Sequence, residues 1–254
     1  MTHPDDRAPR WGSEAGLEQG GASGAGAVPL VRATEYQAHI DGLRAMAVLA
    51  VIANHFSKAW LPGGYLGVDV FFVISGFVIT ASLASRPRLP LGPFLRAFFQ
   101  RRIKRLLPAL LVCVLVTGVA ISVLDPQPGA SLWTGIHALF GLSNLYLYFQ
   151  SVDYFAPTAQ ANAFTQTWSL GVEEQFYLVY PLLFWWATGG RLGAAGRALP
   201  LLVGGLSALS FAAFVVLFAD DPAAAYFLTP ARFWELGAGC LLYAGRQSVP
   251  LVWL

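Results

Sequence analysis

The sequence predicts an all-α, polytopic membrane domain, and three observations carry that expectation. Of its 254 residues 56% are hydrophobic and only 12% charged, about half the charged share of an ordinary soluble domain. Apolar runs long enough to cross a bilayer recur along the chain. The cations crowd residues 86–105, which hold Arg86, Arg88, Arg96, Arg101, Arg102, Lys104 and Arg105 and no carboxylate. This composition excludes an ordinary cytosolic enzyme, and a formal charge of +2 is too small to name a partner. Cys113 and Cys240 lie in separate apolar stretches, so neither a disulfide framework nor a thiolate metal site is indicated, and no metal is expected.

Residues 1–34 are rich in Gly, Ala, Pro and charge and lack the basic start and apolar core of a signal peptide; they read as a disordered cytoplasmic tail before a membrane domain over residues 35–254. Apolar runs at residues 40–60 and 65–85 flank Leu61-Pro62-Gly63-Gly64, a tight turn that makes them a membrane hairpin. The basic residues 86–105 read as a cytoplasmic loop by the positive-inside rule, which puts the N-terminus inside as well. A third span, residues 106–124, runs outward to the Pro-rich residues 125–129.

Residues 132–149 are apolar enough to span, but that would place Asp153, Glu173 and Glu174 inside and Arg191 and Arg197 outside. Taking them as re-entrant or interfacial reconciles every later loop. Residues 168–188 then run inward, residues 198–219 outward toward Asp220 and Asp221, and residues 230–245 return to leave Arg246 inside. The expectation is about six spans plus one partial segment. The chain stops at Val252-Trp253-Leu254 without a polar cap, which reads as a truncated membrane domain.

Charge inside a span is costly and by default faces a bundle interior or a wet cavity. Arg44 and His55 are eleven residues apart on the first span, which leaves them about 20° apart in azimuth and roughly 16 Å apart along the axis. That places Arg44 near the cytoplasmic surface and His55 toward the outer half, on one face. The competing readings are a snorkelling arginine and a histidine hydrogen-bonded within the bundle. Asp41 shares their face, and Asp69, in the first turns of the second span, either orients the imidazole or stabilises its own helix start. Ser75-Gly76 is a small-residue notch that favours packing, with no partner for the hydroxyl visible.

Arg101, Arg102 and Arg105 mark topology, or a phosphate site, since the guanidinium fork suits phosphate oxygens. The cluster is short, membrane-adjacent and not interleaved with aromatics, so nucleic acid is not expected. Glu173 and Glu174 open a span and point about 100° apart, so at most one faces a given cavity. Arg232 and Glu235 are three apart and read as a self-contained ion pair.

Five motifs in order are more specific than any one. Asp41-Gly42-Leu43-Arg44 with His55, then Gly67-Val68-Asp69-Val70-Phe71-Phe72-Val73-Ile74-Ser75-Gly76-Phe77, Arg101 to Arg105, Trp168 to Tyr177, and Arg232 to Glu235 closely resemble the acyltransferase 3 family over about residues 35–246. Its members are bacterial integral-membrane O-acyltransferases that decorate surface glycans. The resemblance implies a cytoplasmic-membrane enzyme that moves an acyl group, usually acetyl from acetyl-CoA, to a hydroxyl of lipopolysaccharide, peptidoglycan or another surface saccharide.

On that resemblance His55 is the base, and Arg44, Asp69, Glu173 and Glu174 complete the catalytic set. Arg101, Arg102 and Arg105, with Arg44, would meet CoA phosphates, and the rise from Arg44 to His55 suits an extended pantetheine arm. Asp41, Trp168, Tyr177, Arg232 and Glu235 are the candidates for acceptor contact. Gln166 stands where many relatives have a histidine, which leaves hydrogen bonding rather than proton transfer there. The family's roughly ten spans, and the extracytoplasmic SGNH-type domain of some members, exceed what this chain holds. The competing functions are a carrier or flippase-like protein that uses the buried charges as a polar pathway, and an inactive fragment of the acyltransferase.

Overall fold

The computed structural model describes residues 38–87, 89–153, 162–189 and 198–248; the predicted N-terminal tail, Arg88, Arg191, Arg197 and the last residues lie outside them. The described residues form helices and connecting turns and no strand. The first hairpin pairs α1 (Ala38–Phe56) with α2 (Gly67–Ala84) across a turn ending in the 3₁₀ residues Gly64–Leu66. Asn54 closes the turn, its Nδ2 donating to the Leu61 carbonyl at 2.9 Å. At Gly67 a Cβ would strike the Ala47 carbonyl, so glycine is what lets the start of α2 lie directly on α1.

The basic stretch is not a loop. Only residues 85–90 connect, and α3 (Leu91–Leu124) runs unbroken through Arg96, Arg101, Arg102, Lys104 and Arg105 into the apolar third span. Leu, Phe, Ala and Arg are adequate helix formers, and Phe94 and Phe98, four apart, bury one face. Charge places a segment relative to a membrane; it does not stop a helix. Pro108 lies inside α3, where its missing N–H removes one backbone hydrogen bond.

Residues 132–149 fall across two short helices, α4 (Gly129–Leu139) and α5 (Ser143–Val152), of 11 and 10 residues. At 1.5 Å per residue each is roughly 16 Å long, half of a hydrocarbon core. Gly141 makes the break, with φ +69°. The Leu142 N–H reaches the His137 carbonyl and the Gly141 N–H the Ala138 carbonyl, a Schellman stop that requires a residue in the left-handed region.

Helix α6 (Trp168–Ala187) ends at Gly189 with φ +58°. The apolar α7 (Ala198–Asp220) passes into α8 (Pro222–Phe227), whose Asp221 cap accepts from the Ala224 N–H at 3.0 Å, and α9 (Thr229–Ser248) closes the described chain. Three segments are long and apolar enough to cross a membrane: Gly64–Ala84, Leu91–Leu124 and Ala198–Asp220. Helices α1, α6 and α9 have 19, 20 and 20 residues but carry the ionisable side chains singled out above.

The core lies where α2, α6 and α9 meet, around Phe72, Leu83, Phe176, Tyr180 and Leu236. Glycines set the spacing. A Cβ on Gly76 would strike the Leu236 carbonyl and one on Gly239 the Val73 carbonyl, so α2 and α9 touch backbone to backbone. A polar brace ties the α4–α5 break to this core: Gln175 Nε2 donates to Asn144 Oδ1 at 2.8 Å and to the Gly141 carbonyl at 3.0 Å, and Asn144 Nδ2 donates to the Phe227 carbonyl at 3.0 Å. Each buried amide is thereby satisfied within the bundle.

Candidate active site

One stripe of α2 builds the site. Phe71, Ser75, Val78, Ile79 and Ser82 recur along α2 on one face and, with Arg86 just past the helix end, line a cleft of about 550 Å³. Eleven residues separate Phe71 from Ser82, a rise of roughly 16 Å. Opposite them α3 contributes Phe98, Arg101, Arg102, Arg105 and Leu106, α6 contributes Leu170, Glu173 and Tyr177, and α1 contributes Arg44. Five guanidinium groups therefore border a cleft with apolar walls.

Most of that positive charge is unmatched. Among the described residues no carboxylate pairs with Arg86, Arg101 or Arg105. Arg44 Nε and Arg86 Nη1 are buried without a hydrogen-bond partner. Arg86 donates to the Ser82 carbonyl at 3.0 Å and to Ser82 Oγ at 3.2 Å, and burial together with the Arg101 charge lowers its pKa to about 10. An anion beside Arg86 and Arg101 would offset their mutual repulsion.

Arg102 is the most heavily engaged of the five. Its Nε donates to Glu174 Oε1 at 2.9 Å, its Nη2 lies 3.8 Å from Glu173 Oε2, and its Cζ sits 3.3 Å from the centre of the Tyr177 ring. Two adjacent helical residues diverge, yet both reach one guanidinium because α3 places it between them. Of the two, Glu173 faces the cleft, as the divergence requires. Of the three arginines expected to meet phosphate, Arg102 is thus paired with two glutamates, whereas Arg101 and Arg105 have no carboxylate partner among the described residues.

Glu173 is buried, and Ser75 Oγ donates to its Oε1. Sequence reasoning missed this pair. A separation of 98 residues leaves no periodic signal, and Ser75 beside Gly76 looks like packing. Arg86 stood out only as one of the basic residues, and nothing in the sequence marks Ser82 as a cleft residue.

Arg44 and His55 both lie on α1, and only Arg44 reaches the cleft. The Arg44 guanidinium lies 5.9 Å from the Phe71 ring, and Gly67 lies on Ala47 and Val51, so α1 is shifted along α2. Arg44 lines the cleft across from the α2 stripe. His55, next to Asn54 and level with the turn before α2, is exposed; its Nδ1 lies 2.9 Å from the Val51 carbonyl of its own helix, and it does not line the cleft. Asp41 pairs with Arg44 at 3.7 Å.

Asp69 faces Arg232 rather than an imidazole. Arg232 Nη2 donates to Asp69 Oδ1 at 2.6 Å while Nη1 lies 2.8 Å from Glu235 Oε1. The expected self-contained pair extends to a third member, with Glu235 only 1% exposed and Asp69 half-buried. Phe72, Trp168 and Tyr226 ring the Arg232 guanidinium at 5.5–5.8 Å. Trp168 is buried against Phe72 and Phe227, so it supports this arginine and offers no open face for a sugar. Gln166, by contrast, is exposed and donates to the Ala163 carbonyl.

Comparison with known proteins places the chain. A family model described as an acyltransferase domain matches residues 37–254. The chain is 36% identical over 215 residues to peptidoglycan O-acetyltransferase OatA of Listeria monocytogenes, covering 82% of this chain and 34% of that protein. It is 37% identical over 210 residues to O-acetyltransferase OatA of Staphylococcus aureus, covering 82% of this chain and 34% of the other. The chain spans about a third of the length of these relatives. No solved structure matches it.

Proposed function

We propose, on the premise that this chain belongs to the acyltransferase 3 family, that it moves an acyl group, acetyl in the first instance, from an acyl-CoA to a hydroxyl of a cell-envelope glycan. The observation that carries the donor is the cleft with its unmatched arginines. The phosphates of CoA would lie against Arg86 and Arg101, and the apolar pantetheine arm along Ile79, Val78 and Phe98. Seven residues of α2 rise roughly 10 Å from Ser75 to Ser82, and Arg86, bonded to Ser82 just past the helix end, extends that reach along the arm. The thioester would then lie beside Ser75, Glu173 and Arg44, where a guanidinium can hold a developing oxyanion.

The names of the Listeria and Staphylococcus relatives favour peptidoglycan as the acceptor. In this reading α1, α6 and α9 also cross the cytoplasmic membrane, giving six spans with the N-terminus inside. His55, outside the cleft, serves as base for the acceptor hydroxyl rather than for the thioester. Asp41 and Tyr177 hold Arg44 and Arg102 in place, and the Asp69–Arg232–Glu235 triad fixes the ends of α2 and α9.

Replacing Arg101 and Arg105 together with glutamine is expected to raise the KM for acetyl-CoA about tenfold or more, as for loss of charge-assisted phosphate contacts worth roughly 1.5–3 kcal/mol each, and to leave the KM for the glycan unchanged. Steady-state kinetics with both substrates varied checks it; an equal rise in both constants would assign the pair to folding or topology instead. His55→Ala is expected to lower transfer to glycan by about 10²-fold or more while acetyl-CoA binding stays intact. Isothermal titration beside the transfer assay separates the two, and undiminished transfer removes His55 from the reaction.

A further inference from the structure

Several helical hydroxyls in this protein turn back onto their own backbone, and Ser75 does not. Thr80, Ser122, Thr134 and Thr188 each return the hydroxyl to the carbonyl four residues back, at 2.8, 2.8, 2.9 and 2.8 Å. Ser75 instead reaches across to α6 and donates to Glu173. Serine and glutamate are 3% and 7% exposed, so little water competes for either, and both line the cleft, Ser75 from α2 and Glu173 from α6. Arg102 lies against the other oxygen of Glu173 at 3.8 Å. A hydroxyl on a carboxylate that is itself oriented by a third group is the arrangement of an activated nucleophile. Arg44 also lines the cleft and keeps a buried Nε without a partner.

We propose that Ser75 is the acyl acceptor of the donor half-reaction, with Glu173 as its base and Arg44 as the oxyanion's partner, so that transfer runs through an acyl-Ser75 ester. The inference rests on the acyl-CoA reading above. Ser75 Oγ attacks the thioester carbonyl carbon and its proton passes to Glu173 Oε1. The C–O bond forms and the C–S bond breaks, and the departing thiolate takes the proton from Glu173 to leave as the free thiol of CoA. An acceptor hydroxyl then attacks the ester carbonyl, Ser75 Oγ leaves, and the proton released by the acceptor returns to it. No oxidant, metal or further reactant is needed.

The test incubates the full protein in nanodiscs with acetyl-CoA, without glycan, quenches with acid and maps the peptides by mass spectrometry, with binding of CoA titrated in parallel. The expected result is an acetyl adduct on Ser75, absent from Ser75→Ala, whose turnover falls by about 10²–10⁴-fold. Ser75→Cys is expected to carry the adduct as a thioester released by neutral hydroxylamine, where the serine ester resists it. Glu173→Gln is expected to bind CoA normally and to form the adduct slowly. An unmodified Ser75 in protein that binds acetyl-CoA, an adduct on another residue, or unchanged turnover in Ser75→Ala overturns the proposal and leaves the acyl-CoA reading standing. Failure of the unaltered protein to bind CoA overturns that reading itself. Mapping the unaltered protein and the cysteine variant keeps the test decisive should Ser75→Ala fold poorly.

Discussion

Arg102→Gln is expected to destabilise the domain by about 3–5 kcal/mol, the usual cost of leaving a buried carboxylate without its cation. Arg102 keeps about a quarter of its side chain exposed, which favours the lower end of that range. The loss is large because one guanidinium serves two carboxylates and a ring. Removing it strands Glu173 in the core, leaves Glu174 beside it and empties the face of Tyr177. Thermal unfolding in detergent measures the loss. The double variant Arg102→Gln with Glu173→Gln should recover more than half of it, because the stranded charge is gone, while acyl transfer stays lost. A phosphate-binding role alone predicts the opposite pattern: full stability in Arg102→Gln, a raised KM for the donor, and no rescue by a second substitution on α6.

The same residue shows what the sequence makes legible and what it does not. That Arg102 matters is readable from its place in a basic cluster, and that Glu173 and Glu174 matter is readable from charge at the start of an apolar helix. That the three form one clamp is not, because the 72 residues between Arg102 and Glu174 carry no local pattern that couples them. Helix positions were legible wherever the period and the punctuation agreed. The hairpin turn at Leu61-Pro62-Gly63-Gly64 and the start of α6 at Trp168 fall where expected.

Errors arose where charge was read as shape. Residues 91–105 were expected in a loop because they are basic, yet their Leu, Phe, Ala and Arg content sustains helix α3. The azimuth shared by Arg44 and His55 follows from the 3.6-residue repeat, whereas their depth depends on how α1 slides against α2. The close seats at Gly64 and Gly67 set that offset, and a single-helix argument contains nothing about it. Ser75 was the least legible of all, since a lone hydroxyl acquires chemistry only from what faces it in space.

Gly76→Ala is expected to cost about 3 kcal/mol or more, the upper range for overpacking, and to abolish transfer, although alanine is the better helix former by roughly 1 kcal/mol. The added methyl would meet the Leu236 carbonyl of α9, a backbone atom that cannot rotate away. Gly239 stands in the reciprocal position against the Val73 carbonyl, so the two helices cannot shift to accommodate either Cβ without breaking the other contact. Moving α9 would also pull on the Gly76 carbonyl, which accepts from Thr80 Oγ1 and Cys240 Sγ at 2.8 and 3.4 Å, and would carry Arg232 away from Asp69. Ser75 is the next residue on α2, so any displacement there reaches the Ser75–Glu173 pair directly. Gly204→Ala on α7 is the matched control, since nothing lies within 4 Å of its Cβ; it should be neutral or stabilising by up to about 1 kcal/mol. Thermal unfolding of the two variants in the same detergent, read beside acetyl-CoA turnover, decides the matter. Equal stability of both would mean that α2 and α9 are free to separate, and the glycines would then have to be explained by something other than close packing.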